Sequence, residues 1–282
     1  MQGRTKLNLN DIISKKGKEK ISVITAYEYS TAKICDSAGI DILLVGDSAG
    51  MVVLGYSSTV PVGMQEMIVF CGAVSRGTKR AMIVGDMPFG SYQVSPSKAV
   101  ENAILMVKSG CDAVKLEGGS QIVGTIRAII NAGIPVMGHI GLTPQTSPLW
   151  EGYKLQGRTK EGANELIEDA VLLEKAGVFS IVLEMVTSEI AYEITNSVSV
   201  PTIGIGSGPN CDGQVLVLHD MLGIYQEIRP KFVKRYAELN KDIFDAVSDY
   251  NHEVKTGVFP GESNTSHMDA KELDKWKNER RI

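Results

Sequence analysis

The sequence has no apolar run long enough to cross a bilayer. Stretches such as Ile40 to Val45 fall far short of the roughly 20 residues a spanning helix takes. Cysteine is scarce: Cys35, Cys71, Cys111 and Cys211 are scattered without a C-x-x-C pair. Neither a disulfide scaffold nor a zinc site is therefore indicated, and a reduced, cytoplasmic setting is the expectation. Excess positive charge is missing too. A formal net charge of −4 argues against a nucleic-acid binder that relies on a bulk positive field. The early basic cluster of Lys15, Lys16, Lys18 and Lys20 lies among polar residues with no apolar segment beside it, so no secretory or transit peptide is expected.

What is present is a recurring unit: a short β-branched apolar run, then glycine and polar residues, then a helical stretch. Eight runs fit strands, at Ile21–Ala26, Asp41–Val45, Ala81–Val84, Ala113–Glu117, Pro135–His139, Ser180–Glu184, Pro201–Ile205 and Gln214–Leu218. Their near-continuous apolar character is that of parallel strands covered on both faces. Between them, Met64–Arg76, Ser97–Ser109, Val123–Asn131 and Glu161–Ala176 carry helical spacing, and Gly110, Gly133 and Gly177 stand where helices end. A chain of 282 residues is close to the usual length of a (β/α)₈ barrel, roughly 250 residues. The expected fold is a single-domain (β/α)₈ TIM barrel with a C-terminal helical extension, the barrel over residues 1–262 and a polar tail over 263–282.

Two segments depart from the repeat. From Gly141 to about Lys160 the chain reads GLTPQTSPLWEGYKLQGRTK, without periodicity. A loop this long after the fifth strand would lie over the barrel mouth as a lid. After Pro230 a helix is expected with an apolar stripe at Phe232, Tyr236, Leu239, Ile243, Val247, Tyr250 and Val254. That stripe needs a partner, either the barrel or another subunit. Beyond Gly261 the tail is polar, and its first part is expected to be mobile.

Catalytic groups of such barrels lie at the C-terminal ends of the strands. Those positions hold Asp47 and Ser48 after the second strand, Asp86 after the third, Lys115 and Glu117 on the fourth, His139 on the fifth and Glu184 on the sixth. Singly, each has an ordinary explanation as a turn former, a solvated strand end or a core histidine. Together, several acids around one cavity repel one another unless a cation neutralises them. Hard oxygen ligands without a His/Cys cluster favour Mg²⁺, with Asp47 and Asp86 as first candidates and Glu117 direct or through water. Lys115 and Glu117, two apart on a strand, point the same way, so Lys115 answers Glu117, a substrate carboxylate or both. Gly46 and Gly85 precede the aspartates and are expected to allow close ligand approach. The run Gly204-Ile205-Gly206-Ser207-Gly208 fits tight rim packing better than a phosphate cradle, since no Lys or Arg follows closely.

With these residues placed, the chain resembles the ketopantoate hydroxymethyltransferases from about Ile21 to Gly261. The resemblance is carried by ITAYEYS (Ile24–Ser30), LLVGDSAGMVVLG (Leu43–Gly55), VKLEGG (Val114–Gly119), GHIGLTPQ (Gly138–Gln145), GYKLQGR (Gly152–Arg158), VLE (Val182–Glu184) and IGIGSG with DGQVLVLHD (Ile203–Asp220). It implies Mg²⁺ and hydroxymethyl transfer from 5,10-methylenetetrahydrofolate, as co-substrate, to 3-methyl-2-oxobutanoate, the first committed step toward pantothenate. It also implies Asp47 and Asp86 as Mg²⁺ ligands with Glu117 the third acidic partner. Asp47, Ser48, Asp86 and Lys115 would contact the oxo acid, Glu184 would accept the proton, and the assembly would be a homodecamer. His139 is placed as a further substrate contact or a buried support. Ser207 stands where the family pattern leads one to expect Ala, Pro209-Asn210-Cys211 also differ, and the tail from about Asn264 runs past the usual family end. Two other readings compete. One is a Mg²⁺-dependent 2-oxo acid enzyme of the isocitrate-lyase or phosphoenolpyruvate-mutase type, whose Lys-Cys-Gly-His lid motif is missing here; the other is a non-catalytic barrel that binds a small acid.

Overall fold

Every apolar run forms a strand of one closed parallel barrel in the computed structural model, which describes residues 5–146, 154–227 and 230–280. The strands are β1 (Ile21–Thr25), β2 (Ile42–Val45), β3 (Met82–Asp86), β4 (Ala113–Glu117), β5 (Val136–Gly141), β6 (Ser180–Glu184), β7 (Thr202–Ile205) and β8 (Gly213–Leu216). They pair in chain order, and the ring closes by β8 against β1, with Val215 beside Val23. Helices Tyr29–Ser37, Met64–Gly77, Pro96–Lys108, Val123–Asn131, Lys160–Ala176 and Ser188–Ser197 follow the first six strands. Among the described residues no helix is long and apolar enough to cross a membrane.

Strand parity decides what faces inward. Outward residues such as Leu43, Ile83, Val114, Leu116, Ile181 and Leu183 pack under the helices. Inward residues Val23, Ile42, Met82, Val84, Ala113, Met137 and Val182 fill the barrel. Continuing the inward parity in steps of two residues leads from Val84 to Asp86, from Ala113 to Lys115 and then Glu117, from Met137 to His139, and from Val182 to Glu184. The polar cluster is thus the top layer of the same stack whose lower layers are aliphatic.

The opposite end is shut. Asn8 caps the short helix Leu9–Ile13 with its side chain, and Asp11 returns a bond to the Asn8 N–H. Ile12 of that helix is fully buried among the lower interior residues. Asp41 at the base meets Lys15 at 3.2 Å and Arg80 at 3.3 Å. Among the described residues, the barrel interior opens at its C-terminal mouth.

One expectation is corrected. The stretch Phe232–Glu238 is not helical; the helix begins at Leu239 and runs to Thr256. Tertiary bonds hold the chain before it, the Tyr236 N–H donating to the Met221 carbonyl at 2.8 Å and the Leu239 N–H to that of Leu222 at 2.9 Å. The polar tail contains a further helix, Ala270–Glu279, whose Asp269 cap accepts from the Lys271 N–H.

Candidate active site

Neighbouring strand tips bring the polar residues together in register. Asp86 of β3 lies beside Lys115 of β4, and Glu117 beside His139 of β5. The Lys115 ammonium stands 2.7 Å from Asp86 Oδ1 and 3.7 Å from Glu117 Oε1. Asp47, carried by the turn after β2, donates its N–H to Asp86 Oδ2 at 3.4 Å. Asp47, Asp86, Lys115, Glu117 and His139 are all buried. Three acids therefore share one ammonium in a buried site.

The electrostatics follow. Burial, then the charge of Asp86, pushes the Asp47 carboxyl up to about 7. Burial raises Asp86 as well, against the opposing pull of Lys115. Glu117 is raised well above the ordinary carboxylate range, by burial first and by Asp47 and Asp86, with Lys115 opposing. Burial alone would depress Lys115, yet the three surrounding acids hold it above its usual value. His139 is driven well below its ordinary value by burial and by Lys115, so its imidazole is neutral. Its Nε2 lies 2.8 Å from the Leu142 carbonyl, which assigns the proton to that nitrogen. The 3.4 Å approach of Nε2 to Glu184 Oε2 is consequently not an ion pair. His139 Nδ1 is buried without a hydrogen-bond partner, 3.8 Å from Glu117 Oε1.

Glu184 closes the opposite wall. Burial lifts its carboxyl to about 8, with Lys115 opposing and Asp47 and Asp86 adding. Among the described residues it forms no ion pair with Lys or Arg. Met185, next in the chain, sits at φ 46°, a left-handed conformation costly for a side chain of this kind. Ser207 holds this turn: its hydroxyl donates to the Leu183 carbonyl at 2.8 Å and accepts from the Val186 N–H at 3.0 Å. The glycine-rich segment thus packs the rim and supports Glu184.

Ser48 lines the same cavity, and its hydroxyl lies 2.8 Å from that of Tyr27. A Cβ on Gly46 would come within 2.8 Å of Ser48 Oγ, so this glycine leaves room for the Ser48 hydroxyl inside the site. Gly85 does not: its missing Cβ faces outward, where it would meet Met106 Cε at 2.6 Å and Cys111 Sγ at 2.7 Å. That position serves helix packing, a correction to the expectation of ligand approach.

Gln145 and Tyr92 were not singled out from the sequence. Gln145, fully buried, donates Nε2 to Asp47 Oδ2 and to the Met87 carbonyl, both at 2.9 Å, and its N–H to Glu117 Oε2 at 3.0 Å. The Tyr92 hydroxyl donates to Gln145 Oε1 at 2.8 Å and accepts from the Glu117 N–H at 3.3 Å. One amide thereby ties three strand tips. Gln145→Leu is expected to leave Asp47 Oδ2 and the Met87 carbonyl without this donor, costing about 1–3 kcal/mol. Thermal unfolding of the metal-free protein measures it, and an unchanged transition would deny Gln145 this role.

The loop that supplies Gln145 leaves β5 with Leu142 and Pro144 against the cavity and returns to the β6 tip, where the Gln156 N–H donates to the Met185 carbonyl at 2.7 Å. The middle of the expected lid, residues 147–153, lies outside the described residues. The cavity measures about 400 Å³, has Asp47, Asp86, Lys115, Glu117, His139 and Glu184 around it, and is otherwise walled largely by aliphatic side chains such as Leu44, Val182 and Ile205. That volume suits a small-molecule ligand.

For a divalent cation, the available donors are hard carboxylate oxygens, and Asp47 and Asp86 share one buried environment. Among the described residues no three His, Cys, Asp or Glu side chains form a ready cage. The two neighbouring aspartates suit an ion such as Mg²⁺, which takes one or two carboxylates and completes its shell with water and substrate. Glu117, with Oε2 bound to the Gln145 N–H, stands one step behind the aspartates.

Comparison with known proteins agrees with the sequence pattern. The family model described as ketopantoate hydroxymethyltransferase matches residues 6–262. A 3-methyl-2-oxobutanoate hydroxymethyltransferase of Nitrosopumilus maritimus is 58% identical over 269 residues, covering 95% of this chain and 96% of that one. One of the same name from Staphylothermus marinus is 57% identical, covering 96% and 99%. Among solved structures, a phosphoenolpyruvate phosphomutase of Streptomyces platensis subsp. rosaceus superposes with TM-score 0.61 at 12% identity, covering 98% of this chain and 99% of that one. A phosphonopyruvate hydrolase complexed with oxalate and Mg²⁺ gives 0.60 at 11%, covering 98% and 96%. At such identities these two establish a shared TIM-barrel fold and nothing of the chemistry. The length and level of the sequence match are decisive: the chain belongs to the ketopantoate hydroxymethyltransferase family.

Proposed function

We propose that this chain transfers a hydroxymethyl group from 5,10-methylenetetrahydrofolate to 3-methyl-2-oxobutanoate, giving 2-dehydropantoate for pantothenate synthesis, as a cytoplasmic homodecamer. One observation carries the chemistry. Glu184, a carboxylate with a raised pKa and, among the described residues, no ion pair with Lys or Arg, faces the Lys115–Asp86–Asp47 cluster across one small cavity. A site for binding alone has no use for such a base.

Asp47 and Asp86 would hold Mg²⁺, with Glu117 through water, and the bound ion would supply Lewis-acid polarisation of the substrate ketone. The remaining steps belong to the chain's own residues. Lys115 and Ser48 hold the oxo acid's carboxylate, which fixes C3 toward β6. Glu184 removes the C3 proton, and burial makes it basic enough to do so near neutral pH. His139 keeps Leu142 and the Glu184 carboxyl in place, and its Nδ1 can accept a hydrogen bond from a water or ligand in the site. The nucleophilic C3 attacks the methylene carbon of the folate and forms the new C–C bond. The two C–N bonds of that carbon break, and a water supplies its hydroxyl. The folate nitrogens take up the proton held by Glu184 and one from that water, and tetrahydrofolate departs.

The test is turnover. With both substrates and Mg²⁺, 2-dehydropantoate should accumulate; chelation should stop it and added Mg²⁺ restore it. Turnover of phosphoenolpyruvate or isocitrate instead, or indifference to chelation, would sink this reading.

A further inference from the structure

The proposed reaction brings two substrates to one cavity, and the charged cluster occupies only part of its wall. Asp47, Asp86, Lys115, Glu117, His139 and Glu184 stand over β2 to β6. The remaining neighbours in the ring, β7, β8 and β1, contribute Ile205, Val215 and Thr25 to the cavity. Two of these are aliphatic, and the Thr25 hydroxyl is already engaged, accepting from the Leu218 N–H at 2.9 Å. That bond seats the four-residue helix Leu218–Met221 on the mouth just past β8.

One acid stands on this apolar side. Asp220, in that short helix, lines the cavity and is half-buried. Among the described residues its carboxylate makes no hydrogen bond and no ion pair. Arg235 acts on it only through its field, because that guanidinium is held by Glu238 at 2.9 Å and by Gln226 Oε1 at 3.2 Å. Burial lifts the Asp220 carboxyl to about 6, with Arg235 opposing, so it is ionised at neutral pH. Keeping a partly desolvated carboxylate without a partner costs stability, and a ligand that answers it is the usual reason for such a group in a cleft. Thr59 is a second unanswered group, its hydroxyl buried without a partner on the wall of the same cavity. Tyr225 and Phe232 add flat apolar surface to that wall.

The geometry points to Asp220 as the group that holds the pterin of the folate, its two carboxylate oxygens accepting from the N3–H and the 2-amino group on the pyrimidine edge of the ring. This assignment rests on the folate-dependent reaction proposed above. The pyrimidine edge offers two parallel N–H donors, the pattern that a carboxylate meets with both oxygens. The neighbouring 4-oxo oxygen is an acceptor of the kind that the Thr59 hydroxyl lacks. In a reduced pterin this edge lies across the fused rings from N5, which carries the methylene. Holding the edge over β8 therefore directs the methylene inward, toward an oxo acid held across the barrel at β3 and β4. The two substrates then meet without competing for the same side chains: Lys115 and the metal ligands serve the oxo acid, and Asp220 serves the pterin.

An analogue of tetrahydrofolate with a 2-methyl group in place of the 2-amino group tests the contact. Its binding and that of tetrahydrofolate are titrated by calorimetry into the parent and into Asp220→Ala, each with Mg²⁺ and 3-methyl-2-oxobutanoate present. The parent should bind tetrahydrofolate about 10–100-fold more tightly than the analogue, the usual worth of a hydrogen bond to a charged group. Asp220→Ala should lose that factor for tetrahydrofolate and bind the two ligands alike, with a cooperative melting transition showing that it is folded. A parent that binds both ligands equally overturns the assignment, and so does a variant that still discriminates between them. Weakening of both by the same factor would mean that Asp220 acts through the shape of the mouth, which also overturns it. Product formation is read separately. A parent that discriminates in this way yet makes no 2-dehydropantoate would refute the proposed transfer and leave the pterin contact standing. A parent that makes product equally well from the methylene forms of both ligands would do the reverse.

Discussion

Glu184→Gln is expected to slow the metal-dependent exchange of the C3 hydrogen of 3-methyl-2-oxobutanoate in D₂O by about 10²–10⁴-fold, the usual worth of a positioned base. Without folate present, the assay isolates proton removal from transfer. The same substitution should make the metal-free protein more stable, and the sign can be worked out. Unfolded, the Glu184 carboxyl ionises near its ordinary value of 4.5; folded, burial holds it at about 8. Between these values unfolding releases a proton, so this group costs stability increasingly as pH rises from about 4.5 and reaches its full cost above about 8. The side chain keeps 16% of its surface toward the cavity, which moderates a cost of at most a few kcal/mol. Gln removes it. The variant's melting temperature should thus exceed that of the parent above pH 8, with the gap closing toward pH 4.5. Lost exchange together with gained stability is what a strained functional group gives, and a structural glutamate would lose both. Exchange that survives the substitution would mean that another group is the base.

Much of this arrangement was legible in the sequence, for reasons that can be stated residue by residue. The β-branched runs are short, separated by glycine and covered on both faces, so the eight strands emerge from local pattern. Strand parity then places Asp86, Lys115, Glu117, His139 and Glu184 on the inner face without any knowledge of tertiary structure. What stayed hidden depends on partners far along the chain. Gln145 bonds Asp47 across 98 positions, and Tyr92 reaches Gln145 across 53. An amide in an irregular loop and a tyrosine after a strand carry no periodic signal; within GHIGLTPQ, Gln145 stands out only as part of the family pattern. The direction of Gly85 was misjudged because a glycine shows no side chain whose polarity could reveal which face it takes. The apolar spacing from Phe232 onward continues a helical stripe, yet hydrogen bonds to Met221 and Leu222 hold the first part of it out of the helix. The helix Ala270–Glu279 escaped notice for the opposite reason: it is polar on nearly all sides, so hydrophobic periodicity does not mark it.

Replacing Lys115 by Met should give the largest loss of stability of any single change at the site. The ammonium is buried and answers Asp86 at 2.7 Å and Glu117 at 3.7 Å, with Asp47 adding to the field that holds its proton. Methionine fills much of the volume but leaves three buried acids without the ammonium they share. Removing one partner of a buried ion pair costs about 3–5 kcal/mol. For a chain of this size that corresponds to a fall in melting temperature of roughly 6–20 °C. The deficit should be greatest above pH 7, where the acids would otherwise be ionised, and shrink in acid as they take up protons. A divalent cation should act in the opposite direction. Lys115 occupies Asp86 Oδ1, so it competes with any cation for that oxygen; without it, Mg²⁺ should raise the melting temperature of the variant by more than it raises that of the parent. Turnover should nevertheless stay low, because the substrate carboxylate has lost its cationic partner. A variant restabilised by Mg²⁺ yet inactive separates the two duties of the site, neutralising its own acids and receiving an anionic ligand. Should Mg²⁺ stabilise parent and variant equally, Asp86 would not be a ligand that the lysine contests, and the placement of the ion at Asp47 and Asp86 would have to be abandoned.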